Sequence, residues 1–160
     1  MTELAERVAR LRARILAACE SCDRSPEAIE LLPVSKRQPQ AFIAEALALG
    51  FTRFGENYVQ EGAAKAAALP QARFLLIGPL QRNKVKAALQ NFHEILSLDR
   101  PDLAERLRRL AEELDLVRPV WIQLELWGEA TKAGGCSAEE LPSVIAALSA
   151  AAGSPDGASP

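Results

Sequence analysis

Cysteine is scarce. Cys19, Cys22 and Cys136 are too few, and odd in number, for a disulfide framework, so a reduced, cytoplasmic setting is the simplest expectation. The Cys19-x-x-Cys22 pair falls at the C-terminal end of a helical stretch, whereas redox pairs draw thiolate stability from a helix N-terminus. Zinc would need two further ligands, and only Cys136 and the single histidine, His93, remain, far apart in sequence. Strong charge of either sign is also missing. Nineteen Lys and Arg against twenty-one Asp and Glu give a net charge of -2, which provides no footprint for nucleic acid or an anionic membrane. No apolar run approaches the roughly 18–20 residues of a membrane span. The Met1–Arg7 stretch is acidic with no apolar segment behind it, so no secretory signal is read. Gly-x-Gly-x-x-Gly, a Walker-type loop and a serine nucleophile elbow are absent, which removes support for nucleotide binding and for Ser–His hydrolysis.

What is present is an ordinary globular composition: 160 residues, 49% apolar and 25% charged, enough for one domain with a substantial core. Leu4, Val8, Leu11 and Ile15 recur at steps of three and four, predicting a leading helix over 3–20. Ser25 and Pro26 mark a capped turn, and Ile29–Val34 is an apolar run of strand type, although Pro33 removes a ladder donor. Helices then alternate with strands. Helices are expected over Pro39–Leu49, Glu56–Leu69, Gln81–Gln90, Pro101–Leu116 and Ser137–Ala150, the last with Ser137 and Glu140 in capping-box spacing. Strands are expected over Phe51–Phe54, Arg73–Gly78, Glu94–Leu98 and Pro119–Leu126, with Trp121 in the core and Trp127 on a loop or pocket wall. Apolar strands alternating with helices indicate parallel pairing, covered on both faces. Five strand–helix units after one helix make either an open doubly wound sheet or part of an eight-unit barrel. A closed barrel rarely takes fewer than about 200 residues. The fold is read as α/β, a domain over 1–152 followed by a disorder-prone tail over 153–160.

In parallel α/β folds, functional side chains sit where strands end. Four such junctions carry polarity that packing does not require: Ser35-Lys36, Gly55-Glu56-Asn57-Tyr58, Gly78-Pro79-Leu80-Gln81 with Asn83-Lys84, and Ser97-Leu98-Asp99. A lysine at the mouth of an apolar sheet or barrel loses hydration. That disfavours its charged form and frees the amine for imine formation with a carbonyl compound. The alternative for Lys36 is a lysine that merely ends a strand in solvent. Asn57 either caps a helix or meets a ligand, and Gly55 and Gly78 either turn the chain or let a ligand approach the backbone. Asn83 and Lys84 either join the mouth or simply open a helix. His93, just before a strand, is expected on the surface.

Together these junctions resemble the YggS/PROSC family, pyridoxal phosphate (PLP) homeostasis proteins with a fold like the N-terminal domain of alanine racemase. The matching stretches are Leu32–Lys36, Phe54–Glu61, Ile77–Lys84, Ser97–Asp99, and Gly128-Glu129 with Lys132-Ala133-Gly134. The resemblance implies a partial parallel TIM-type barrel of alanine racemase N-terminal type. It implies that Lys36 holds pyridoxal 5′-phosphate as a Schiff base, without committed catalysis, in service of intracellular vitamin B6 homeostasis. It also places Asn57 beside the cofactor and Gly78, Gln81, Asn83 and Lys84 on a neighbouring loop of the same mouth. PLP-dependent apoenzymes are the implied recipients, with neither nucleic acid nor membrane involved.

Two departures stand out. Glu125 occupies a position where the family usually has asparagine, and Gly135-Cys136 differ from its helix-opening residues. The family also carries a further third of barrel, with phosphate-binding loops and an arginine facing the pyridine nitrogen. Without those anchors the 160-residue chain is expected to bind the cofactor more weakly than a complete member, and to expose two sheet edges. The rival readings are a racemase- or decarboxylase-like enzyme of the related barrel type, and a non-binding fragment completed by another chain.

Overall fold

The computed structural model of the chain describes residues 2–126 and 134–149. Trp127, Gly128, Glu129, Lys132 and Ala133 lie outside the described residues, as do the boundary at 152 and the 153–160 segment. Helix α1 spans Glu3–Ser21, with the Thr2 hydroxyl accepting from the Ala5 N–H. There follow α2 (Gln40–Ala48), β1 (Arg53–Glu56), α3 (Val59–Ala68), β2 (Arg73–Leu76) and α4 (Val85–Asn91). Then come β3 (Glu94–Leu98), α5 (Pro101–Glu113), β4 (Val120–Ile122) and α6 (Leu141–Ser149). The expected caps form: Ser25 accepts from Glu27 N–H, and Ser137 and Glu140 exchange bonds across a capping box. Among the described residues no helix is long and apolar enough to cross a membrane.

The four strands pair in parallel in the order β1-β2-β3-β4. Neighbours follow chain order with no reversal. That is barrel-type succession and decides against the doubly wound sheet, whose strand order reverses at a switch point. The first expected strand shrinks to a single parallel bridge, Val34 to Gly55. The Gly55 N–H donates to Pro33 O, and the Ser35 N–H donates to Gly55 O, each at 2.9 Å. The next bond down a parallel ladder would run from the nitrogen of residue 33 to the carbonyl of Arg53. Proline has no hydrogen to give, so pairing stops there. The last expected strand is likewise cut to Val120–Ile122, with a second isolated bridge from Leu124 to Cys136. Both departures noted above, Glu125 and Gly135-Cys136, lie on that bridge, where the Glu125 N–H donates to Cys136 O at 2.9 Å.

The core lies between the sheet and α3 to α5. Phe54, Phe74, Leu76, Ile95 and Leu98 meet Val85, Leu89, Leu103 and Leu107, all of them buried. The Phe54 and Phe74 rings stand 5.9 Å apart in register. Gly62 brings α3 against the Phe92 ring, where a Cβ would fall 2.2 Å from Cζ. Between Ile95 and Leu98, β3 holds one residue more than β4 does between their partners Val120 and Ile122, so both residues reach the core.

Trp121 is 59% exposed, contrary to the expectation that it is core. Val120 and Ile122 take the helix-facing side of β4, and strand alternation turns Trp121 the other way, where its Nε1 donates to Glu94 Oε2 at 3.2 Å. His93 is half-buried instead of lying on the surface, and its Nδ1 is enclosed with no partner among the described residues. Burial first, then the charges of Arg73 and Arg118, hold its imidazole below the ordinary range.

Candidate functional site

The C-terminal ends of the parallel strands bring the polar junctions to one edge. Ser35 and Lys36 follow the Val34 bridge, Asn57 follows β1, Gly78 follows β2, and Asp99 follows β3. Ser97, inside β3, donates from its hydroxyl to Gly78 O at 2.6 Å and ties the third and fourth junctions together.

Lys36 occupies a turn and is exposed, so the desolvation expected of it is not found. Among the described residues its amine makes no hydrogen bond or ion pair. The turn around it, by contrast, is held from several sides. The Ser35 N–H bonds to Gly55 O, and the Gln38 N–H closes the turn onto Ser35 O at 3.0 Å. Arg37, at φ +58°, donates its N–H to Glu61 Oε1 at 2.5 Å.

The buried lysine of this site is Lys65, on α3. Its Nζ donates to Ser35 O at 2.5 Å, to Glu56 Oε1 at 2.6 Å and to Glu61 Oε1 at 2.8 Å, which uses all three ammonium donors. The Ser35 hydroxyl donates to the same Glu56 oxygen at 2.7 Å. Glu56 is fully buried, and its second oxygen has no partner among the described residues. The hydrogen bond from Lys65 holds the Glu61 carboxyl below the ordinary carboxylate range, aided by the Arg37 N–H and opposed by burial. The sequence reading did not single out this network. Its legible signals were a glutamate closing the apolar Phe54-Gly55 strand and the four-residue spacing of Glu61 and Lys65.

Asn57 does not cap α3. The cap position is Tyr58, with no side-chain cap bond, and the Asn57 amide has no hydrogen bond among the described residues. It lines a hollow of about 320 Å³ together with Tyr58, Gln60, Pro79, Gln81 and Lys84. Gly78 is buried against the Asn57 backbone. A Cβ there would stand 2.4 Å from Asn57 O and 2.7 Å from its Cα, so glycine is what lets the two loops close. The structure thus gathers Asn57, Gly78, Gln81 and Lys84. Asn83 lies in the Arg82–Lys84 turn, exposed and outside the lining, and Lys36 sits on the neighbouring turn, not in the wall of the hollow. Among the described residues no cluster of three metal-ligating side chains is present.

The likeness to known proteins runs along nearly the whole chain. The PLP homeostasis protein of Pseudomonas aeruginosa is 38% identical over 153 residues, covering 92% of this chain and 65% of that protein. PipY of Synechococcus elongatus PCC7942, solved without PLP, matches with a TM-score of 0.77 at 38% identity, over 91% of this chain and 64% of PipY. PipY with PLP bound matches with a TM-score of 0.63 at 41% identity, over 78% of this chain and 57% of PipY. The chain therefore spans about 65% of the length of the Pseudomonas relative. The names of these relatives agree with the family implied by the junction motifs. The alanine racemase N-terminal domain family matches residues 7–157, and the chain belongs to that family.

Proposed function

We propose that this chain binds pyridoxal 5′-phosphate at the C-terminal mouth of its sheet, with Lys36 as the covalent anchor, and serves homeostasis of that cofactor rather than committed turnover. The observation that carries the reading is Lys36 itself: a primary amine without an ion pair among the described residues, on a turn tethered from several sides at the strand-end junction next to the one that carries Asn57. When bound, the cofactor supplies an aldehyde whose carbon condenses with a primary amine, releasing water and leaving a C=N bond.

The residues present fit that group. Lys36 offers its amine to solvent, so the aldehyde reaches it without a conformational opening. The hollow has the volume of a small-ligand site and presents the Asn57 and Gln81 amides, with Lys84 as a cation for an anionic substituent. Gly78 shapes this wall through its backbone, by letting the Asn57 loop close on it. The membership of PipY with PLP bound among the structural relatives supports the same reading. Apoenzymes dependent on this cofactor are the proposed recipients, and the cytoplasm the proposed place of exchange.

The test is titration of the chain with pyridoxal phosphate, borohydride reduction and peptide mass mapping. Borohydride delivers hydride to the carbon of the C=N bond, solvent supplies a proton to nitrogen, and the link becomes permanent. The adduct is expected on the peptide carrying Lys36 and absent from Lys36→Ala. An adduct confined to other lysines, or no adduct, overturns the proposal. α-Proton exchange on alanine no faster than with Lys36→Ala is the expected mark of a carrier. Faster exchange favours an enzyme.

A further inference from the structure

We propose that Lys65 is a positioning residue for Lys36: its buried ammonium binds the turn that carries the reactive amine and is itself withheld from carbonyl chemistry. The inference rests on the reading of Lys36 as the cofactor's anchor. Among the described residues nothing bonds to the Lys36 side chain, so the direction of its amine comes from the backbone on either side. Ser35 and Arg37, its two neighbours, are each held by the same network. Lys65 Nζ donates to Ser35 O, while Glu61 Oε1 accepts from both Lys65 Nζ and the Arg37 N–H. Glu56 Oε1 completes the network by accepting from Lys65 and from the Ser35 hydroxyl.

Two features make Lys65 the hub. Arg37 is a non-glycine residue at φ +58°, a conformation disfavoured by its own Cβ, so the turn needs an outside acceptor to persist. That acceptor, Glu61, is oriented by Lys65 from one helical turn away. The Lys65 side chain is 7% exposed and Glu56 is fully buried, so solvent ions screen this pairing little. With its three donors engaged, Lys65 presents no free lone pair to an aldehyde. The two lysines of the site therefore divide the work: Lys36 is exposed and reactive, Lys65 enclosed and structural.

The experiment compares the full chain with Lys65→Met and Glu61→Ala, each incubated with pyridoxal phosphate, reduced with borohydride and mapped by peptide mass. The readout is the yield of adduct on Lys36 relative to the exposed Lys86 of the same molecule, taken well below each variant's melting temperature. In the unaltered chain Lys36 is expected to dominate and Lys65 to carry no adduct. In Lys65→Met the Lys36:Lys86 ratio is expected to fall, by up to about a hundredfold if the amine is displaced by about 1 Å. Glu61→Ala removes the acceptor of the Arg37 N–H from a partly exposed position. It is expected to shift the ratio in the same direction, and serves if Lys65→Met does not fold. A ratio unchanged in the folded variants, with Lys36 still labelled in the unaltered chain, overturns the positioning role and leaves the cofactor reading intact. Adduct on Lys65 in the unaltered chain also overturns it. Absence of adduct from Lys36 in the unaltered chain overturns the cofactor reading, and this inference with it.

Discussion

Replacing Gly78 with alanine tests the geometry of the mouth most directly. The new methyl carbon would sit 2.4 Å from Asn57 O, 2.7 Å from its Cα and 2.9 Å from its carbonyl carbon. All three are backbone atoms, so no side-chain rotation relieves the clash. The backbone on both sides is anchored. Ile77 N–H donates to Glu56 O at 2.9 Å, and Gly78 O accepts from the Ser97 hydroxyl at 2.6 Å. Relief therefore requires the Asn57 loop to move or these bonds to break. Overpacking costs about 1–3 kcal/mol, and a lost hydrogen bond about 1 kcal/mol more, so the expected loss is about 2–4 kcal/mol. For a chain of this length that is a fall in Tm of about 5–15 °C. Urea denaturation of Gly78→Ala measures it, with Gly50→Ala as the contrast. Gly50 has φ +88° and open space around it, so its replacement costs backbone strain alone, about 1–2 kcal/mol. A Gly78→Ala midpoint equal to that of the unaltered chain would refute the close approach of the two loops.

Three further outcomes are expected. Lys65→Met leaves the buried Glu56 carboxylate without its counter-charge and is expected to cost about 3–5 kcal/mol in urea denaturation, while adding Glu56→Gln recovers part of it; equal midpoints would refute the pairing. The folded Glu61 binds its proton at lower pH than the unfolded one, so its contribution to stability is present above about pH 4.3 and is lost as pH falls through the lowered folded value. The Arg37 amide resonance in an acid titration by NMR reports this, and a midpoint at or above the ordinary glutamate value would be contrary. For His93, also lowered, the unfolded chain takes up the proton first, so stability declines as pH falls below about 6.5 and levels off below the folded value. His93→Gln is expected to flatten that part of the pH profile, and an unchanged profile would show that the imidazole is not desolvated.

The alternation of helices and strands was legible in the chain because each element carries its own period. Leu103, Leu107 and Leu110 on α5 mark one helical face, and Phe74-Leu75-Leu76 mark a strand buried on both sides, both as found. The place of the mouth was legible for the same reason, since polar residues ending apolar strands have no packing role to explain them. Pro33 even announced where pairing would stop, although the surviving bridge at Val34 depended on Gly55 arriving beside it. Which face of β4 receives Trp121 depended on how the strand registers against the bulged β3, a long-range matter that local composition does not carry. The state of the two lysines was decided in the same way. Spacing alone put Lys36 at a strand end and Lys65 on a helix. Only the docking of α3 against the Ser35 turn buried one amine among two carboxylates and left the other in water, because desolvation and ion pairing are properties of what surrounds a charge in space.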